Sequence, residues 1–245
     1  MIDEKQPFVS HLKELRDRIL VCVVALGIAF IFTFYFKERI FDFLMQPFVK
    51  VMPAKSSFIF TYVTEAFLTY FKMSIVTAIF IASPVILYEF WMFVAPGLYE
   101  KEKKYVLPFI FFGSLSFVCG ALFCYYIVMP AVYRFFVSYG SEFVTPMPDL
   151  KGYMGLTLRM LIIFGVIFEL PLIAFFLSKI GVINHRLLSS KRRYAILAIF
   201  IISAIITPPD ITSQILLAIP LWGLYELSIL ITRFFGKKAV HDETA

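Results

Sequence analysis

Six apolar stretches, joined by short loops that carry most of the charge, fix the solvent of this chain before any motif is read. They cover residues 19–36, 67–95, 106–129, 154–178, 194–206 and 214–232. A hydrocarbon core of about 30 Å takes roughly 20 consecutive apolar residues in a helix, and a helix meets its backbone polar groups internally. With 60% hydrophobic residues and 30 Phe, there is too little polar surface to wrap a domain in water. The expected fold is therefore all-α: an integral membrane protein of six transmembrane helices. Residues 1–236 read as one six-span domain and 237–245 as a disordered cytoplasmic tail.

Orientation follows from Lys and Arg near the span ends. Fifteen fall in the N-terminal segment, the two loops and the tail that share one side, and six in the two loops opposite. Lys72 and Arg159 lie inside spans. Both termini are thus expected in the cytoplasm, in a multi-pass protein of the cytoplasmic (inner) membrane. The net charge of +6 comes from the same bias and points to anionic headgroups. No basic nucleic-acid module accompanies it. The first span is followed by Phe36, Lys37 and Glu38 rather than by the small residues of a cleavage site. Cys22, Cys119 and Cys124 lie within spans at spacings that match neither a metal site nor a redox pair, so they read as packing residues.

The fifth stretch has thirteen residues, about 20 Å of helix. The final hairpin is short, either because the bilayer thins there or because neighbouring helices shield it. Residues 37–66 and 130–153 form longer, structured loops facing outward, expected to cap the outer ends of the bundle. Within the first of them, Ile40, Phe41, Phe43 and Leu44 are spaced for a short interfacial helix over 38–48.

Three places concentrate polar groups. Ahead of the first span stands SHLKELRDRI, residues 10–19, with Ser10 placed as an N-cap and Glu14 paired at i,i+4 with Arg18. It reads either as an ordinary helix start or as a charged platform whose Glu14 accepts a basic ligand. The loop FVAPGLYEKEKKY, residues 93–105, adds Glu100 and Glu102 on the same side. Two carboxylates at one interface suit two guanidinium groups, because arginine binds carboxylate through a planar fork that lysine lacks. In the fourth span, IFGVIFELPLIAFF holds Glu169 two residues before Pro171. An ionised group there costs several kcal/mol unless paired or hydrated. Glu169 therefore reads as an intramembrane polar site, as a protonated acid, or as a partner of Arg159 or Lys72. Glu226 raises the same question in the last span. No HExxH, GxSxG or GxxxxGK[ST] pattern is present, so neither an enzyme nor a nucleotide-driven step is expected.

At these residues the chain resembles the TatC family, the multi-spanning core of the twin-arginine protein translocase. HLKELRDRI, SPVILYEFWMFVAPGLYEKE, FGVIFELP and ITPPDITSQILLAIPLWGLYE carry the likeness, in order along nearly the whole chain. The resemblance implies a concave bundle that binds paired-arginine signal peptides of folded cargo. It implies recruitment of single-span TatA-type and TatB-type subunits, self-association, and transport driven by the proton-motive force, with no cofactor, metal or catalytic residue. By position, Glu14 and Glu102 would hold the arginine pair, with Arg16, Arg18 and Phe93 in the same platform. Pro47 and Asp210 would belong to the outer face and Glu169 to the intramembrane cavity. LYEKEKK departs from the family in carrying Glu100 and lysines, which leaves open which of Glu100 and Glu102 makes the contact. A small-solute transporter, an intramembrane enzyme and a passive scaffold are the rival classes.

Overall fold

A computed structural model describes residues 5–52, 58–59, 62–94, 106–139, 147–207 and 210–235. The expected tail lies outside them, as do Glu100 and Glu102. The described residues are helical: α1 Lys5–Tyr35, α2 Lys37–Val49, α3 Glu65–Val94, α4 Val106–Phe123, a π-helical turn Cys124–Val128, α5 Met129–Val137, α6 Leu150–Phe168, α7 Leu170–Lys179, α8 His185–Ser190, α9 Arg192–Ile206 and α10 Ile211–Phe235. Among them the only extended pairing is an isolated parallel bridge, Ile59 with Asp149.

Among the described residues, five stretches are long and apolar enough to cross a membrane: His11–Tyr35, Glu65–Phe93, Leu107–Val137, Leu150–Lys179 and Ile211–Phe235. The sixth apolar run is α9, a helix of only 15 residues. The helix expected over 38–48 is present as α2. Two sequence boundaries are corrected. Ser10 is no N-cap, since α1 already runs from Lys5. Pro130 does not open a loop, because α5 carries the chain on to Val137. Pro130 follows directly on the π-helical segment, whose last bond runs from Met129 N–H to the Cys124 carbonyl, and it supplies no N–H to the turn before it.

The chain divides into two compact units, Met1–Phe41 with Tyr70–Leu115, and Asp42–Thr69 with Ser116–Ala245. In the first, α1 meets α3 through small side chains. Ala29, Ala78 and Ala82 are buried, with Leu26, Phe30 and Ile86 packed around them. Thr33 and Ser74 are fully buried nearby, and Thr33 Oγ1 donates to the Ser74 carbonyl at 2.8 Å. Small residues and one interhelical hydrogen bond are what helix contacts use where lipid removes the hydrophobic drive. Pro84 sits inside α3 and has no N–H for the Phe80 carbonyl one turn back. Ser83 Oγ donates to that carbonyl at 2.8 Å.

In the second unit, α4 and α6 approach so closely that glycine is required. A Cβ on Gly120 would stand 2.5 Å from the Phe164 carbonyl oxygen, and one on Gly165 2.8 Å from the Phe117 ring. Phe123 lies against Phe164 and Phe168 with ring centroids 6.1 and 5.3 Å apart. α7 ends on Gly181 at φ +85°. There the N–H groups of Gly181 and Val182 return to the Ser178 and Leu177 carbonyls at 3.2 and 2.9 Å, which closes the helix. α10 packs chiefly against α7 and α9.

Gly120→Ala is expected to cost about 1–3 kcal/mol, because a backbone oxygen must shift. Gly155→Ala, where nothing lies within 4 Å, should be neutral or slightly stabilising. Thermal unfolding of the detergent-purified variants checks both.

Candidate functional site

α1 and α3 gather a charged cluster in the first unit. His11, Glu14 and Arg18 recur at three- and four-residue spacing and so share one face of α1, while Glu89 and Phe93 stand four apart on α3. Arg18 donates from Nε and Nη2 to Glu14 Oε1 at 3.0 and 2.6 Å. Its Nη1 donates to Glu89 Oε2 at 2.9 Å. The His11 ring stacks on Phe93, with centroids 4.4 Å and planes 15° apart. His11 Nδ1 lies 3.7 Å from Glu14 Oε2. Beside the ion pairs opens a pocket of about 440 Å³, lined by Lys13, Glu14, Asp17, Arg18, Val21 and Glu89.

Of the residues named from the sequence, Glu14, Arg18 and Phe93 belong to this cluster. Arg16 instead donates to its neighbour Asp17 at 2.9 and 2.7 Å, both side chains being exposed. Glu102 lies outside the described residues. The sequence reading singled out neither Glu89 nor His11. The available signals were the four-residue step from Glu89 to Phe93 and the three-residue step from His11 to Glu14.

Glu169 stands at the break between α6 and α7. Pro171, in the first turn of α7, removes the N–H that would continue the ladder. Ser116 Oγ donates to the Phe168 carbonyl at 2.7 Å. Glu169 Oε1 is buried and has no hydrogen-bond partner among the described residues. Arg159 and Lys72, the partners suggested by the sequence, are both exposed. Glu226 is different: Arg192 Nε and Nη2 donate to its Oε1 and Oε2, each at 2.8 Å. Tyr225 OH donates to the Leu188 carbonyl at 2.8 Å. These contacts tie the start of α9, and α8 before it, to α10.

Pro47 and Asp210 hold defined backbone positions. Pro47 lies within α2 and provides no N–H for the Phe43 carbonyl. Tyr125, in the π-helical turn, donates its hydroxyl to that carbonyl, and its ring stacks on Phe43 at 4.4 Å. Tyr153 OH donates to the next carbonyl, Leu44, at 2.7 Å. Phe48, Phe58, Tyr133 and Tyr153 form an aromatic cluster around α2. Asp210 caps α10: Oδ1 accepts from Ser213 N at 2.7 Å, and Ser213 Oγ donates to Oδ2.

Comparison with known proteins identifies relatives over nearly the whole length. Residues 10–220 match the TatC family, described as Sec-independent protein translocase protein. The Sec-independent protein translocase protein TatC of Desulforapulum autotrophicum is 46% identical over 241 residues, which are 98% of this chain and 89% of that one. That of Haemophilus influenzae is 41% identical over 244 residues, 100% and 94% of the two chains. A crystal structure of the twin-arginine translocase receptor TatC in DDM aligns with a TM-score of 0.84 at 39% identity, covering 91% of this chain and 99% of that one.

Tyr125→Phe leaves the Phe43 carbonyl unmet and is expected to cost about 1–3 kcal/mol. In a Pro47→Ala background the restored N–H serves that carbonyl, so the same change should cost less. Equal costs in the two backgrounds, from equilibrium unfolding in detergent, would refute the pairing. Asp210→Ala should cost about 1 kcal/mol and Asp210→Asn much less, as expected of a helix cap.

Proposed function

Since the chain belongs to the TatC family of Sec-independent protein translocase proteins, we propose that it is the signal-peptide-binding core subunit of a twin-arginine translocase. The observation that carries this reading is the half-exposed Glu14 carboxylate beside the His11–Phe93 stack, at the mouth of an open pocket. A carboxylate partly withdrawn from water at the headgroup level discriminates arginine from lysine, whereas a fully solvated pair contributes only about 0–1 kcal/mol.

In this reading both termini are cytoplasmic and α9 makes the sixth crossing. Its 15 residues give about 22 Å of helix, roughly 8 Å less than a hydrocarbon core. The arginine pair of a signal peptide docks on Glu14 and Glu102, with Arg16, Arg18 and Phe93 in the same platform. The apolar segment after the arginines then enters the membrane. Glu169, whose Oε1 has no partner among the described residues, is the intramembrane polar group that a later stage engages, through water or a partner helix. Pro47 and Asp210 shape the outer face. A single chain this size cannot enclose a folded cargo, so transport proceeds in an assembly of further copies and single-span TatA-type and TatB-type subunits, driven by the proton-motive force.

A labelled twin-arginine peptide should bind the detergent-purified protein more tightly than its Lys-Lys counterpart, and Glu14→Gln and Glu102→Gln should each weaken it. Binding indifferent to all three changes would remove the receptor assignment. Glu169→Ala should retain peptide binding yet lose transport of a folded cargo in membrane vesicles. Undiminished transport would remove the role given to Glu169.

A further inference from the structure

We propose that Glu89 is a further carboxylate of the peptide-arginine site, and that Arg18 is its resident counter-cation, holding Glu14 and Glu89 in register across α1 and α3. This rests on the receptor reading above and adds to it one ligand and one charge balance.

The case begins with Glu14. Its i+4 neighbour Arg18 places two N–H groups on Glu14 Oε1, so the pair alone is formally neutral and offers an incoming cation no net attraction. Glu89 changes the sum. Arg18 makes one contact to it, Nη1 to Oε2 at 2.9 Å, and the hydrogen-bonded trio then carries −1. Of the remaining charged lining, Asp17 is met by Arg16 at 2.7 Å, and Lys13 stands beside the trio without an ion pair among the described residues. The trio by itself therefore keeps one negative charge for a further cation while its own arginine stays in place.

The unused oxygens fit the same reading. Arg18 occupies Oε1 of Glu14 and Oε2 of Glu89. Among the described residues, Glu14 Oε2 has only His11 near it at 3.7 Å, and Glu89 Oε1 accepts no hydrogen bond. One acceptor on each of two carboxylates can take separate N–H groups of a second guanidinium, which has five donors in a fixed plane, where an ammonium is a single point charge. Burial makes the match count. The Glu89 side chain is 14% exposed, Arg18 21% and Glu14 33%, so Glu89 is the least hydrated member and the one whose bond to a cation is weakened least by water. Arg18 is the positioning residue: it sets the carboxylates without itself touching the peptide.

The test is equilibrium binding of the Arg-Arg and Lys-Lys peptides to purified full-length protein, each variant first shown folded by its thermal midpoint. Glu89→Gln, with a trio charge of zero, should bind the Arg-Arg peptide about tenfold more weakly and lose much of the preference over Lys-Lys. Arg18→Gln/Glu89→Gln returns the charge to −1 and should recover affinity to within about threefold of wild type. A structural role for the Arg18–Glu89 contact would leave the double variant as weak as the single. Arg18→Gln alone, at −2, should bind both peptides more tightly and discriminate between them less. Wild-type selectivity left intact by Glu89→Gln overturns this inference alone, as does a double variant without recovery or an Arg18→Gln variant that binds as wild type. A wild-type protein with no arginine preference overturns the receptor reading, and the inference with it.

Discussion

A carbonyl that loses its N–H partner inside hydrocarbon has no water to turn to, and the prolines within the helices impose that condition repeatedly on this chain. Two of these carbonyls are met by a hydroxyl. Ser83 serves Phe80 behind Pro84 from within the same helix. Tyr125 serves Phe43 behind Pro47 from a distant part of the sequence. Near the Pro171 break, where the carbonyl one turn back is that of Ile167, Ser116 on α4 donates to the neighbouring Phe168 carbonyl. The distant donors do more than repair a ladder. They fix which face of one helix meets the next, and so turn a local defect into a tertiary contact.

The same economy governs the ionisable groups. Glu226 is matched by a two-pronged arginine, and Glu14 and Glu89 share one. Glu169 keeps a buried oxygen without a partner among the described residues. The first arrangement fastens two helices. The second leaves the Glu14–Arg18–Glu89 trio one negative charge beside a pocket, and the third leaves a buried carboxyl oxygen unmet by the described residues. The acids of this chain thus differ in how completely they are paired.

The helices were legible because apolar runs of span length allow little else. The ends were less so. Ser10 resembles a cap by residue type, yet the breaker before it, Pro7, falls in the first turn of α1, where no N–H is needed, and the helix begins at Lys5. Pro130 resembles a loop opener, but the π-helical turn before it absorbs the missing bond and α5 continues. In the charged cluster, Glu14, Arg18 and Phe93 were found because they stand in recognisable strings. Glu89 was hidden within an apolar string, and only the packing of α1 on α3 reveals its partner. The hydroxyl that answers Pro47 was invisible for the same reason: sequence shows a missing donor but not which remote residue replaces it.

The π-helical turn from Cys124 to Val128 works as a phase shifter in an otherwise regular rod. One residue more than an α-turn rotates everything beyond it by about 100° around the helix axis. That offset lets Tyr125 face the Phe43 carbonyl while Tyr133, further along, meets Thr157 at 2.6 Å. Removing a single residue there would mend the helix and mis-aim all that follows. Length in this segment is therefore a stricter inheritance than composition: side chains on its lipid face can be exchanged, but the count of residues between the two tyrosines cannot.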